Sequence, residues 1–141
     1  MDRRRLVLIP DVADLALFAG CDRHELARIR SLTTAILLPA GATVLDCGAP
    51  PRQFAVIADG EVAVTDDAGA ELAVLGPGSI VGELSLLRDA PTAAGVRTLT
   101  PVVAYVGNRV EFQAMLDAAP ALDRRVTHLA LDRLRPTRAV S

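Results

Sequence analysis

At 141 residues with 51% apolar content, the chain is sized for one ordinary domain whose core needs no metal or disulfide staple. A net charge of −2, 15 basic residues that are all arginine and scattered, and 3% aromatic content without tryptophan argue against the basic face or stacking platform of a nucleic-acid binder. Two cysteines, Cys21 and Cys47, are too few for a disulfide framework and point to reduced thiols in a cytoplasmic setting.

The Arg3-Arg4-Arg5 cluster reads as a solvated tag, and the run Leu6 to Ile9, closed by Pro10, is too short for a signal-peptide core or a membrane span. Residues 11–32 read as helical. Asp14 precedes a short turn carrying Leu15, Leu17 and Phe18. Asp22 is then a helix N-cap with Glu25 three residues on, an acidic capping box. Leu26, Ile29 and Leu32 form the apolar face of that helix, and His24 reads as solvated on its surface.

Residues 33–106 change period. Short apolar runs (Ile36 to Leu38, Thr43 to Leu45, Phe54 to Ile57, Val62 and Val64, Leu72 to Leu75, Val96, Val102 to Val106) are separated by Gly, Pro and Asp turn signals. That spacing predicts an antiparallel sandwich or barrel. Residues 108–135 return to helix. Phe112, Met115 and Leu116 share a face, and Pro120 suits the first turn of a new helix. Leu122, Val126, Leu129 and Leu134 form a loose stripe that packs on its own domain or pairs two C-terminal helices in a homodimer, while Arg124, Arg125, Asp132, Arg133 and Arg135 fill the other faces. The tail from Pro136 to Ser141 is expected to fray.

The stretch from Gly76 to Val96 interrupts the strands with one or two helical turns. Ile80-Val81 meets Gly82, and Glu83 to Leu87 open a helix whose first amides and dipole favour an anion. Gly82 lets a ligand approach the backbone closely, and Glu83 can accept hydrogen bonds from hydroxyls. Together with the glycine frame of Gly41, Gly48, Gly60, Gly76 and Gly78, this stretch resembles the phosphate-binding cassette of the cyclic-nucleotide-binding domain family. That family includes the catabolite activator protein and the regulatory subunits of protein kinase A. The nearest flavour is the regulatory domain of bacterial cAMP-controlled lysine acetyltransferases, and the likeness runs from about Leu15 to Leu134.

The resemblance implies a mainly β domain over residues 1–141. Its fold would be a double-stranded β-helix, a jelly-roll-like β-roll, with N-terminal and C-terminal helices and a cassette helix at 83–88. It implies cAMP or cGMP as ligand and no other cofactor. Glu83 would bind the ribose 2′-hydroxyl, and the amides of Leu84 and Ser85 the cyclic phosphate. The family arginine that follows a proline and pairs with the phosphate is absent: Pro91 is followed by Thr92, and the next slot is Ala93. Removing one half of a buried charge pair costs about 2–5 kcal/mol, an affinity loss of roughly 30-fold to a few thousand-fold. Arg88 lies nearby in sequence and Arg97 on the next strand, and either is an alternative source of a phosphate contact, although Arg88 reads first as solvated beside Asp89.

Two functions compete. A ligand sensor would bind a cyclic nucleotide, weakly, and shift its C-terminal helices toward an effector protein. A degenerate module would keep the roll and serve protein–protein interaction or dimerisation. An enzyme is not expected, since no nucleophile elbow, H-E-x-x-H, P-loop or dinucleotide fingerprint is present. Nor is direct DNA contact, since the sequence given ends soon after its last helix. An iron–sulfur cluster would need four cysteines, and only Cys47 or His128 is available to a haem.

Overall fold

Side-chain caps open the first described turn. In the computed structural model, which describes residues 9–134, Asp11 accepts a hydrogen bond from the Ala13 amide and Asp14 accepts one from the Asp11 amide, both at 3.3 Å. They close a 3-10 turn at Val12–Asp14, and a second follows at Ala16–Phe18. The cap of this first turn is Asp11, whose carboxylate takes the Ala13 amide while Asp14 takes the Asp11 amide. Asp22 and Glu25 cap α1 (Arg23–Leu32) through two 2.8 Å bonds, as their spacing predicts. The Arg3 to Arg5 cluster and the tail from Pro136 lie outside the described residues, as does all but Ile9 of the early apolar run.

Eight strands follow: β1 (Thr34–Leu38), β2 (Thr43–Leu45), β3 (Gln53–Asp59), β4 (Val62–Thr65), β5 (Glu71–Leu75), β6 (Ile80–Val81), β7 (Gly95–Thr98) and β8 (Val102–Asn108). They form two four-stranded antiparallel sheets, ordered β1-β8-β3-β6 and β2-β7-β4-β5. The cassette helix α2 (Glu83–Arg88) lies between β6 and β7, and α3 (Arg109–Ala118) and α4 (Pro120–Leu134) complete the fold. The last strand runs two residues past the expected end at 106, because Asn108 is still paired to Gln53 while its side chain caps α3 in a box with Glu111.

Strand β3 shows why Phe54 to Ile57 read as a continuous apolar run. Phe54, Val56 and Ala58 face the helices, in a core with Phe18, Ile29, Phe112, Met115, Leu122 and Val126. Ala55 and Ile57 face the other sheet, in a core with Val62, Val96, Val102 and Ala104. Burial on both faces removes the usual alternation. The α4 stripe is divided. Leu122 and Val126 are fully buried and Leu129 is half-buried in the domain's own core, whereas Leu134 stays exposed. No helix among the described residues is long and apolar enough to cross a membrane.

Candidate functional site

The six residues singled out from the sequence, Gly82, Glu83, Leu84, Ser85, Thr92 and Ala93, all line one cavity of about 350 Å³. Leu45, Val64, Leu75, Val81 and Val96 give it a largely apolar wall. Its ionisable residues are Glu83, Arg88 and Arg133, the last from the end of α4. Among the described residues no cluster of three or more His, Cys, Asp or Glu is placed to hold a metal ion.

Gly82 joins β6 to α2 at φ +87°, and an added Cβ would lie 2.6 Å from the Gln53 carbonyl oxygen. The position is closed to other residues by the protein's own backbone, not by ligand approach, and a non-glycine there would be strained as well as crowded. Ser85 turns its hydroxyl onto the Gly82 carbonyl at 3.0 Å, which is helix-internal bonding and leaves no hydroxyl proton for a phosphate.

Glu83 is 1% exposed and its carboxylate is not free. The Arg133 guanidinium donates through Nη1 to both of its oxygens, and the same nitrogen donates to the Ile80 carbonyl at 2.9 Å. Burial pushes the Glu83 carboxyl above its ordinary 4.5, against the pull of Arg133 and of the Glu83 and Leu84 amides. One of the two amides expected to meet a phosphate, that of Leu84, thus already helps to hold the Glu83 charge.

Thr92 is buried and braces two loops. Its hydroxyl donates to the Asp46 carbonyl at 2.5 Å, with Ala49 O a further 3.3 Å contact. The backbone completes the clasp: the Gly48 amide donates to Thr92 O at 2.7 Å, and the Thr92 amide donates to Ala49 O at 2.9 Å. A hydroxyl has one proton. With that proton committed to a carbonyl, Thr92 can offer only lone pairs toward the cavity, which suits no anion. Ala93 is exposed, and its carbonyl accepts from the Cys47 thiol at 3.5 Å.

Two arginines, Arg88 and Arg133, stand differently from their sequence reading, while Arg97 lies on the next strand as read. Arg97 is exposed on β7 and does not line the cavity. Arg88 does line it, and Asp89, its expected companion, is paired with Arg109 at 2.7 Å instead. Arg133 was counted among the solvated faces of α4, yet it holds the buried carboxylate. Its spacing from Leu122, Val126 and Ala130, all buried, follows the i+4 and i+3 steps of one helix face, which is the signal that could have found it.

A family model for the cyclic nucleotide-binding domain matches residues 35–119. The acetyltransferase Pat of Mycolicibacterium smegmatis is 32% identical over 127 residues, covering 88% of this chain and 38% of that protein. A CRP-like cAMP-activated global transcriptional regulator of Mycobacterium tuberculosis is 26% identical over 130 residues, covering 89% of this chain and 58% of its own length. The crystal structure of the Thermus thermophilus catabolite activator protein superposes with a TM-score of 0.73 at 27% identity, covering 84% of this chain and 58% of that one. The chain thus spans well under two thirds of these relatives.

Proposed function

The chain belongs to the cyclic nucleotide-binding domain family, and we propose that it is a regulatory domain that senses cAMP, cGMP or a related small ligand through the cavity beside α2, with a weakened hold on the phosphate. The observation that carries this reading is the Glu83–Arg133 pair, which joins the cavity wall directly to the last described turn of α4. A ligand whose hydroxyl takes the Glu83 carboxylate competes with Arg133. Occupancy and the position of α4 are then linked by one coupling free energy, which acts equally in both directions.

The anchoring of α4 fits an output at its far end. Arg125 Nη1 donates to the Leu17 and Ala19 carbonyls at 2.6 and 2.8 Å, and Leu122 and Val126 are fully buried, so the first half is fixed. Beyond Ala130 the helix is held by Arg133, while Leu131 and Leu134 face outward. Those two side chains are where an effector protein or a second copy would sense the movement.

Thr92 favours a second reading, a degenerate module that uses the roll for protein–protein contact alone. Calorimetric titration with cAMP and cGMP to millimolar concentration separates the two. Saturable binding in roughly the tens-of-micromolar to millimolar range is expected for the sensor. Absence of heat, together with no displacement of a fluorescent cyclic nucleotide, would contradict it and leave the module.

A further inference from the structure

We propose that Arg88 supplies the anion contact of this cavity, in place of the side chain at position 92. This rests on the small-ligand reading above and names the group that reads the charged end of the ligand. Four cavity-lining side chains can donate hydrogen bonds: Ser85, Arg88, Thr92 and Arg133. Ser85 and Thr92 have spent their single hydroxyl protons on Gly82 O and Asp46 O, and the charge of Arg133 is answered by Glu83 through Nη1, which also donates to Ile80 O. Arg88 is exposed and has no hydrogen-bond or ion-pair partner among the described residues.

The competing acid is also accounted for. Asp89 leaves α2 in the left-handed region at φ 51°, and its carboxylate sits 2.7 Å from Arg109 Nη1. The one carboxylate on the cavity wall, Glu83, is neutralised by Arg133. Helix geometry then aims Arg88. Side chains on a helix lean toward its N-terminus, so a residue covers the turn that precedes it. Arg88 stands three residues after Ser85 and four after Leu84, on the wall that flanks the cavity. A guanidinium there meets a phosphate approaching α2, where the Thr92 lone pairs on the opposite loop repel one. The site therefore takes an anionic ligand with an apolar or aromatic body, its charge displaced from the 90–94 loop to α2. Because Arg88 is exposed, its grip is partly screened by water and salt, which makes it weaker than a buried arginine at position 92.

The test titrates the whole chain and its Arg88→Ala, Arg88→Lys and Thr92→Arg variants with cAMP and with adenosine, the same body without the anion. The unaltered protein is expected to bind cAMP about tenfold more tightly than adenosine. Arg88→Ala should remove that margin and its salt dependence while leaving the melting temperature unchanged, and Arg88→Lys should restore part of it. Equal affinity for adenosine and cAMP in the unaltered protein, or an Arg88→Ala variant that keeps its cAMP affinity, overturns the assignment and leaves the sensor reading standing. If neither ligand binds the unaltered protein or Thr92→Arg, the sensor reading falls and this assignment falls with it.

Discussion

The two ends of the cavity are built on opposite plans. At the Thr92 end, a hydroxyl and two backbone amides tie loop 46–49 to loop 90–94 inside the roll. All partners are main-chain groups of neighbouring loops, and no longer element has to move if they stay paired. At the Glu83 end, a buried carboxylate is answered by a guanidinium one-third exposed, reaching in from a helix 50 positions later in the chain. The first end is a fixed brace and the second a joint. A neutral brace can replace a charged contact without loss of fold, but a joint couples the site to whatever moves α4.

The largest expected effect lies at the joint. Arg133→Ala strands a buried charge, and it should destabilise by about 2 kcal/mol, less than the roughly 3–5 kcal/mol of a wholly buried pair because Arg133 is partly solvated. Urea unfolding measures the loss. Amide exchange should show the change concentrated in the last turns of α4.

Next comes the brace. Thr92→Val keeps the shape and deletes the hydroxyl, leaving the Asp46 carbonyl without its donor. A loss of about 1–2 kcal/mol is expected, read by the same unfolding curves, with α4 exchange unaltered. An effect of Thr92→Val on α4 would erase the distinction between the two ends.

Glu83→Gln should be smaller, within about 1 kcal/mol at neutral pH, since removing the buried charge offsets the weaker pair. Its sharper signature is pH dependence. Burial raises the folded Glu83 carboxyl above its ordinary 4.5, so the folded state holds that proton more tightly than the unfolded chain. This contribution favours the fold at low pH and is lost as pH rises through the raised value. Glu83→Gln should remove that slope above pH 4.5.

The smallest effect belongs to a pair away from the cavity and has the reverse sign. Arg30 donates to Asp11 at 2.6 and 2.8 Å and holds its carboxyl at about 2, below its ordinary 3.8. Stability from this pair is present above pH 3.8 and is lost as pH falls toward 2. As both side chains are over two-fifths exposed, water screens the pair and its contribution is the smallest of these. Asp11→Asn should flatten the acid limb of a melting-temperature profile and leave the limb above pH 4.5 as it was.

What the sequence made legible follows from local rules. The Asp22 and Glu25 box and the strand ends marked by glycine are set by neighbours a few positions apart. The cassette was legible through an ordered glycine frame, and all six residues read from it do share one cavity. What stayed hidden depends on partners far along the chain. Thr92 reads as a failed phosphate ligand until loop 46–49 is seen to accept its proton. Arg133 reads as one more solvated arginine until α4 is laid over Glu83. Arg88 reads as solvated beside Asp89, and only the left-handed turn at Asp89, which delivers that acid to Arg109, shows that Arg88 faces the cavity without it.

The most direct test of the joint is backbone amide exchange over Val126 to Leu134, with and without saturating cAMP, on the unaltered chain. Exchange there is expected to be faster when the ligand is bound, with the clasp at 46–49 and 92 no less protected. Saturation with unchanged or slower exchange over that segment would contradict it.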